Sequence, residues 1–404
     1  MQHVFVVGAK GLGNYGGYET FLLELISANR GDRNVKYHIA CKDNGQGAMC
    51  EEKLDDVLKL SNEEFVYNDA HCFKIKTLEI GPAQAIIYDL KSIDYVISYI
   101  KKHKIDNPVL YILACRIGPF INKYVKEIHK FNGKVFINPD GHEWKRSKWN
   151  RVVRKYWKLS ERLMVKNADL IVCDSISIES YIKKEYKKYY PKTCYISYGS
   201  DIKESTVSNE DENFKEWMNR KSIIINNYYL MVGRFVPENN FETIIREFMK
   251  SKSKKDLVIV TTYNKRMFKQ LESRLHFDND KRIKFVGTVY DKEYLKKIRE
   301  NAFAYIHGHE VGGTNPSLLE SLSSTKINLL LDVSFNKEVG GEYCYYWNKN
   351  NGNLKDLIEK TETTGDEIIK YNHLQCKKII SDRYNWKKIS HEYNDIFTNN
   401  QNIK

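Results

Sequence analysis

Met1-Gln2-His3-Val4-Phe5-Val6-Val7-Gly8-Ala9-Lys10-Gly11-Leu12-Gly13-Asn14-Tyr15-Gly16-Gly17 is a β-rich apolar run, a glycine-rich turn and the entrance to a helical pattern at residues 18–28. Strand, turn and helix in that order make the half-unit of a parallel sheet. Apolar runs at 36–41, 109–114, 134–138, 170–173 and 193–197 alternate with helical patterns at 85–103, 117–131, 147–166 and 178–189. A polar stretch at 200–221, most loop-like at Ser208-Asn209-Glu210-Asp211-Glu212-Asn213, interrupts the alternation. It restarts with strands at 228–232, 257–261, 283–286, 302–306 and 327–331 and helices at 241–250, 265–275, 291–300 and 315–323. Right-handed crossovers between parallel strands put helices on both faces of such a sheet. The expectation is an α/β chain of two Rossmann-like, doubly wound domains facing a cleft, at 1–205 and 206–381, followed by a segment at 382–404 that carries an amphipathic helix at 382–397. Ligands then belong at the carboxyl ends of the strands.

The 404 residues are 42% hydrophobic and 29% charged, an ordinary soluble composition, and 7 prolines and 22 glycines exclude a low-complexity or fibrous chain. No apolar run approaches the roughly 20 residues of a membrane helix. No basic segment or cleavage site precedes the first strand, so a soluble, non-secreted protein is expected. The net charge of +13 suits a polyanionic partner. Eight cysteines without a C-x-x-C pair read as reduced thiols of a cytosolic protein. Eleven histidines include no H-E-x-x-H, and His307 and His309 alternate along a strand end, so that one faces inward. Asp278-Asn279-Asp280 is a literal D-x-D, but it precedes a strand where a metal motif follows one. It reads as a turn, and neither a metal nor a resident cofactor is expected.

Gly11, Gly13 and Gly16 match G-x-G-x-x-G. Glycines there allow a tight turn and leave amides at a helix N-terminus for a phosphate or sugar oxygen. Dinucleotide binding also needs an acid ending the second strand, where Cys41-Lys42-Asp43 places a lysine first. A phosphate- or sugar-facing loop, with Gly13, Gly16 and Gly17 as its contacts, is the preferred reading, beside that of a tight turn without ligand. In the second domain, Gly233-Arg234-Phe235-Val236-Pro237-Glu238-Asn239-Asn240 follows a strand, and Arg234 can donate a fork of hydrogen bonds to a diphosphate. His307-Gly308-His309-Glu310-Val311-Gly312-Gly313-Thr314-Asn315-Pro316-Ser317-Leu318-Leu319-Glu320 runs from strand through glycine turn into helix, with Asn315 as N-cap and Pro316 in the first turn. Free amides over Gly313, Thr314 and Asn315 suit a nucleotide diphosphate, and Glu320, about one turn further, suits ribose hydroxyls.

These two motifs together resemble the donor domain of family 4 glycosyltransferases, which have the GT-B fold. Tyr384-Asn385-Trp386-Lys387-Lys388-Ile389 resembles the helix that in those enzymes crosses back to the first domain. Lys10-Gly11 through Gly16-Gly17-Tyr18-Glu19-Thr20, Asn138-Pro139-Asp140-Gly141-His142-Glu143-Trp144-Lys145-Arg146 and His307-Gly308-His309-Glu310 are similar to bacterial β-1,4-rhamnosyltransferases of capsule and cell-wall polysaccharide assembly. The resemblance implies transfer of L-rhamnose from dTDP-β-L-rhamnose, with retention, onto a polyprenyl-diphosphate-linked saccharide at the inner face of the cell membrane. It implies donor contacts from Arg234, Asn239, Glu310, Gly312 and Glu320. Two departures stand out: Glu310 and Glu320 are separated by nine residues where the family has seven, which makes Gly312 the spacing-matched position, and Asn239 replaces a lysine that clamps the diphosphate.

Asp140 ends a first-domain strand, where it can orient an acceptor hydroxyl or take its proton; Asp140-Gly141 is equally a simple turn. Residues 141–192 carry 14 Lys and Arg against six Asp and Glu. His142, Trp144, Lys145, Arg146, Lys148, Trp149 and Arg151 lead a basic, aromatic stretch suited to an anionic membrane surface beside the lipid-linked acceptor. No helix-turn-helix, RRM or zinc pattern supports nucleic-acid binding. The competing readings are a GT-B-fold nucleotide-sugar 2-epimerase, which needs no lipid acceptor, and a non-enzymatic polyanion-binding protein.

Overall fold

A computed structural model of the chain describes residues 1–12, 16–146 and 148–399. The chain divides into two compact units: residues 1–199 together with the segment from Trp386 on, and Ser200–Asn385. The first unit contains, in order, β1 (Gln2–Val7), α1 (Gly17–Ala28), β2 (Val35–Lys42), β3 (Leu58–Lys59), β4 (Glu64–Tyr67), β5 (Ala70–Ile75), α2 (Gln84–His103), β6 (Val109–Leu113), α3 (Gly118–His129), β7 (Lys134–Asn138), α4 (Arg151–Asn167), β8 (Leu170–Cys173), α5 (Ile176–Glu185) and β9 (Thr193–Tyr195). Its nine-stranded sheet has the order β3-β4-β5-β2-β1-β6-β7-β8-β9. Every pairing is parallel except β3–β4 and β4–β5. Both faces are covered, so β1 is apolar on both: Phe5 and Val7 enter a core with Ile93 and Val96 of α2 and Ile121 of α3, while Val4 and Val6 are buried on the other side.

The second unit contains α6 (Glu212–Arg220), β10 (Tyr228–Val232), α7 (Phe241–Lys250), β11 (Asp256–Val260), α8 (Lys265–Leu275), β12 (Ile283–Gly287), α9 (Lys292–Glu300), β13 (Ala304–His307), α10 (Pro316–Ser324), β14 (Asn328–Leu331), α11 (Ser334–Gly340), β15 (Tyr345–Trp347), α12 (Asn353–Thr361) and α13 (Asp366–Arg383). Its six strands run β12-β11-β10-β13-β14-β15, all parallel. Alternation on β10 again feeds two cores. Tyr229 and Met231 pack with Phe241, Ile244 and Phe248 of α7; Tyr228 and Leu230 pack with Phe214 and Met218 of α6 and Ile298 of α9. The final helix, α14 (Trp386–Thr398), belongs to the first unit. Tyr393 stacks near Phe21 and Tyr111, and Phe397 lies near Tyr37 and Phe136. Such aromatic pairs contribute about 0.5–1.5 kcal/mol each beyond their burial.

Three expectations need correction. The polar stretch at 200–221 is not all loop: Asp211 caps α6 by accepting from the Phe214 amide at 2.8 Å, and the helix buries Phe214 and Met218. The first unit ends at Gly199 rather than 205, because Ser200 N donates to Tyr384 O at 2.6 Å and Ser205 N donates to the Glu300 carboxylate at 2.6 Å, tying residues 200–205 to the second unit. The terminal helix is not continuous over 382–397 either, since α13 ends at Arg383 and α14 starts at Trp386.

Candidate active site

In the second unit the site residues cluster at the carboxyl ends of β10 and β13, which are paired neighbours. The turn after β10 and the turn after β13 are laced together. Asn240 Nδ2 donates to Gly308 O at 2.7 Å, and Glu310 N donates to Glu238 O at 3.1 Å. The approach is so close at Gly308 that a Cβ there would stand 2.4 Å from Asn239 O, which leaves glycine as the fitting residue. Asn239 Nδ2 donates to Arg234 O at 2.7 Å, and Asn239 Oδ1 pairs with His309 Nδ1 at 2.7 Å. Arg234 itself is exposed, and among the described residues its guanidinium makes no hydrogen bond or ion pair.

The helix after the second turn starts as its sequence demands. Asn315 Oδ1 accepts from Ser317 N at 2.9 Å, Pro316 occupies the first turn, and no acid stands in that turn. Gly312 adopts a φ of 141°; Gly313 and Thr314 are buried beside it. Glu320 is not isolated. Its Oε2 lies 2.5 Å from Nη2 of Arg299, a guanidinium on α9 that is only 4% exposed and whose Nη2 also reaches Ser317 Oγ at 3.3 Å. The other oxygen of Glu320 remains for a ligand, and Arg299 sets the direction it points. Glu310 forms an ion pair with Lys349, so its charge is compensated within the unit. Of the two histidines, His307 is the inward one: it is buried, and desolvation, helped by His309, pulls its pKa down to about 3. Arg299 carried no sequence signal, because its helix, with the run Lys296-Lys297-Ile298-Arg299, looks like an ordinary solvated charged face.

In the first unit Gly13 lies outside the described residues. Gly16 and Gly17 do not stand alike. A Cβ on Gly16 would meet Glu19 Oε2 at 2.0 Å, whereas Gly17 has nothing within 4 Å. Glu19 is buried and its Oε1 accepts the Lys10 amide at 2.9 Å, so a carboxylate already sits under this turn. Sequence reading quoted Glu19 without a role. It also missed Arg116 and Asp89: Arg116 Nη1 donates to Gly8 O at 2.7 Å and to Asp89 at 3.2 Å. Asp89 is fully buried, and burial lifts its carboxyl to about 6 against the pull of Arg116.

Asp140 follows β7 with a left-handed φ of 58°. Its Oδ1 accepts from Gly141 N at 2.8 Å and lies 4.0 Å from Arg146, while its own amide donates to Asn138 Oδ1 at 2.9 Å. Tyr18 OH donates to that same Asn138 oxygen at 3.3 Å. The basic stretch is only partly helix, a correction to the helix expected from 147: α4 begins at Arg151, capped by Asn150 Oδ1, which accepts from Val152 N and Val153 N. Before it, Glu143 gathers its neighbours, pairing with Arg146 and Lys148 and accepting from Trp149 Nε1 at 2.9 Å. Lys145 lies over Trp144, and His142 packs on Tyr181 with its pKa lowered to about 4 by burial and then by Lys145 and Lys158. The free basic face is further along: among the described residues Arg151, Lys155, Arg162 and Lys166 are exposed and form no ion pair. Their helical spacing places them on one stripe, with exposed Val152 and Leu159 among them.

Asp280 of the D-x-D pairs with Arg282 at 2.6 Å, and that hydrogen bonding lowers its pKa. Among the described residues no group of three or more His, Cys, Asp and Glu is placed to hold a metal ion, and no helix is long and apolar enough to cross a membrane.

Two α/β units, with a final helix that belongs to the first, are matched over the whole chain by a solved structure, sucrose-phosphate synthase from Thermosynechococcus elongatus, at 14% identity, covering 100% of each chain with a TM-score of 0.77. The chain has the GT-B fold. A second GT-B match is a structure from E. coli described as trehalose-6-phosphate bound with UDP-2-fluoro glucose, at 9% identity, covering 98% of this chain and 99% of that one with a TM-score of 0.73. Residues 1–201 match the family model described as a domain of unknown function, DUF1972. A relative from Methanocaldococcus jannaschii, an uncharacterized glycosyltransferase, is 24% identical over 405 residues, covering 95% of this chain and 94% of its own.

Proposed function

We propose that the chain is a retaining glycosyltransferase whose second unit binds a sugar nucleotide and whose first unit binds the acceptor. The observation that carries this reading is the exposed Arg234 guanidinium, without an acidic partner, beside a helix N-terminus that also lacks an acid. That pairing of a fixed cation and free amides favours an anion. A UDP-sugar in a GT-B protein of the same fold, and a relative named a glycosyltransferase, support it. Arg234 stabilises the departing diphosphate, Glu320 accepts from the ribose, Gly312, Gly313, Thr314 and Asn315 hold the phosphates or sugar, and Asp140 orients the acceptor hydroxyl. The resemblance of the motifs to β-1,4-rhamnosyltransferases extends the proposal to dTDP-β-L-rhamnose as donor and a polyprenyl-diphosphate-linked saccharide as acceptor. With charge stabilisation assigned to Arg234 and amides, the reaction is proposed to run without added metal.

The stripe of Arg151, Lys155, Arg162 and Lys166 with Val152 and Leu159 supports peripheral docking on the anionic inner face of the cell membrane. This shifts the docking residues along α4, away from Arg146 and Lys148, which Glu143 already engages. The test is transfer from a panel of sugar nucleotides to lipid-diphosphate-linked glucose and N-acetylglucosamine, with EDTA present. Transfer from dTDP-rhamnose alone is the expected result. Transfer from another sugar discards the donor assignment, restoration by Mn²⁺ alone discards metal independence, and epimerisation without acceptor replaces the transferase reading altogether. Charge reversal along the stripe is expected to release the protein from acidic liposomes, and unchanged binding rejects that surface.

A further inference from the structure

The lysine that ends β2 has no part in donor binding, yet it is held in a defined place. β1 and β2 are paired neighbours, and the turns that follow them are bound together: Lys42 N donates to Lys10 O at 2.8 Å, and Met49 N donates to Lys42 O at 2.7 Å. Lys42 is only 5% exposed. Its Nζ donates to Gln46 O at 2.9 Å, and among the described residues it forms no ion pair. A second ammonium reaches the same turn, since a Cβ on Gly47 would lie 2.7 Å from Lys10 Cδ and 3.2 Å from Lys10 Nζ. Lys10 is exposed and its side chain likewise forms no ion pair among the described residues. Burial, and next Lys10, lower the pKa of Lys42, while the Glu79 carboxylate raises it. A buried cation is unfavourable unless it is paired, and a second cation beside it adds repulsion. An anion at this turn offsets both. The place differs from the N-terminus of α1, where Glu19 already takes the Lys10 amide.

The loop after β5 supplies an apolar neighbour. Asn44 Nδ2 donates to Thr77 O and Thr77 N donates to Asn44 Oδ1, both at 2.8 Å, so that loop is fastened to the turn after β2. Leu78 and Ile80 follow directly and are exposed. Between them Glu79 reaches Gly45, where a Cβ would stand 2.6 Å from its Oε1. Uncompensated cations beside exposed aliphatic side chains match a ligand that is anionic at one end and hydrocarbon at the other.

We propose that Lys10 and Lys42 bind the diphosphate of the lipid-linked acceptor and that Leu78 and Ile80 receive the prenyl units next to it, an assignment that rests on the acceptor reading of the first unit. Both ammonium groups donate to phosphate oxygens. No bond is made or broken at this diphosphate, which anchors the acceptor while its saccharide reacts. The basic stripe on α4 meets an anionic surface whatever acceptor it carries, whereas the lysine pair selects an acceptor that bears phosphate.

Two measurements on the full chain test this. Calorimetric titration, with excess UDP present, uses geranyl diphosphate and inorganic pyrophosphate as probes. Transfer assays compare lipid-diphosphate-linked saccharides with the same saccharides as phosphate-free alkyl glycosides. Lys10→Met and Lys42→Met are each expected to weaken geranyl diphosphate about tenfold, the scale of one lost charge-assisted hydrogen bond, with UDP affinity unchanged. In transfer they raise KM for the diphosphate-linked acceptor and leave both KM for the sugar nucleotide and the rate with alkyl glycosides as they were. Lys42→Met melts no lower than the wild type, because it removes a buried charge without an ionic partner. Leu78→Ser with Ile80→Ser weakens geranyl diphosphate and leaves pyrophosphate alone. Pyrophosphate binding as tightly as geranyl diphosphate makes the pair a free-phosphate site and overturns the lipid assignment. Absent binding of geranyl diphosphate, or unchanged affinity in the double lysine variant, overturns the site, and the acceptor reading still stands if diphosphate-linked saccharides remain the better acceptors. Equal transfer to alkyl glycosides by the wild type overturns both.

Discussion

In the first unit the turn after β1 closes over a carboxylate, with Glu19 buried in the first turn of α1 and accepting the Lys10 amide. In the second unit the turn after β13 leads into α10, which has no acid in its first turn and has Arg234 exposed nearby. Both are strand–glycine turn–helix units with amides at a helix N-terminus. A helix N-terminus favours an anion only while that site is not already occupied by one. Under the proposed function the donor diphosphate belongs to the second unit, even though the first carries the literal G-x-G-x-x-G.

The largest expected effect comes from removing the free cation. Arg234→Ala should lower kcat by about a hundredfold or more, the scale of a lost charge-stabilising donor. Glu19→Gln, by contrast, should change stability without sharing that loss, and steady-state rates beside thermal melts separate the two. If both variants lose turnover equally at unchanged stability, the two turns do not differ as argued.

Acid should weaken each unit through its own buried histidines. In the first, His3 Nδ1, His38 and His71 form a chain of ring–ring hydrogen bonds of 2.9 and 3.0 Å, with Glu64 3.5 Å from His71, and burial lowers the pKa of His38 to about 2. Lys36 and His103 add to that lowering. In the second, His307 is held near 3 by burial. A histidine whose folded pKa is depressed binds its proton only on unfolding, so its stabilisation is present above about pH 6.5 and is lost as the pH falls below it. Between pH 7 and pH 5 the loss is roughly 2 kcal/mol for each of His38 and His307, read from denaturant midpoints. Asp89, whose carboxyl is raised to about 6, acts in the opposite sense over the lower part of that window. His38→Phe and His307→Phe should each flatten the profile, and an unchanged slope in either removes that unit from the account.

The last set of effects, of which Gly17→Ala is the smallest, discriminates among glycines. Gly308→Ala and Gly16→Ala drive a Cβ to 2.4 Å from a backbone oxygen and to 2.0 Å from a carboxylate oxygen, and each should cost about 1–3 kcal/mol. The Glu19 side chain can turn aside while the Asn239 carbonyl cannot, so Gly308→Ala should be the worse of the two. Gly17→Ala meets open space and should stay within about 0.5 kcal/mol of the wild type in melting experiments.

Most of the parallel strands were legible because each is a short apolar run between turn signals, and burial on both faces makes that pattern continuous; β5 and β15, which also pair in parallel, were not among the expected strands. The edge hairpin of β3 and β4 was not, since Leu58 and Lys59 are exposed and carry no run. Helix α6 was hidden by its acidic cap region, in which Asp211 and Glu212 look like loop. The basic stretch was legible as charge and not as structure: nothing local distinguishes Arg146, engaged by Glu143, from Arg162, which is free.

By itself the amino-acid sequence determined the α/β alternation, the glycine turns, the Asn315–Pro316 helix start and the candidate cation Arg234, because each depends on residues a few positions apart whose backbone preferences and periodicities are local. Tertiary structure alone decided which charges are already engaged: Glu320 with Arg299, Glu310 with Lys349, and Glu19 beneath the Lys10 amide. Electrostatic pairing and hydrogen bonding act over a few ångströms of space, and distance along the chain carries no record of that until the sheet has brought the turns together.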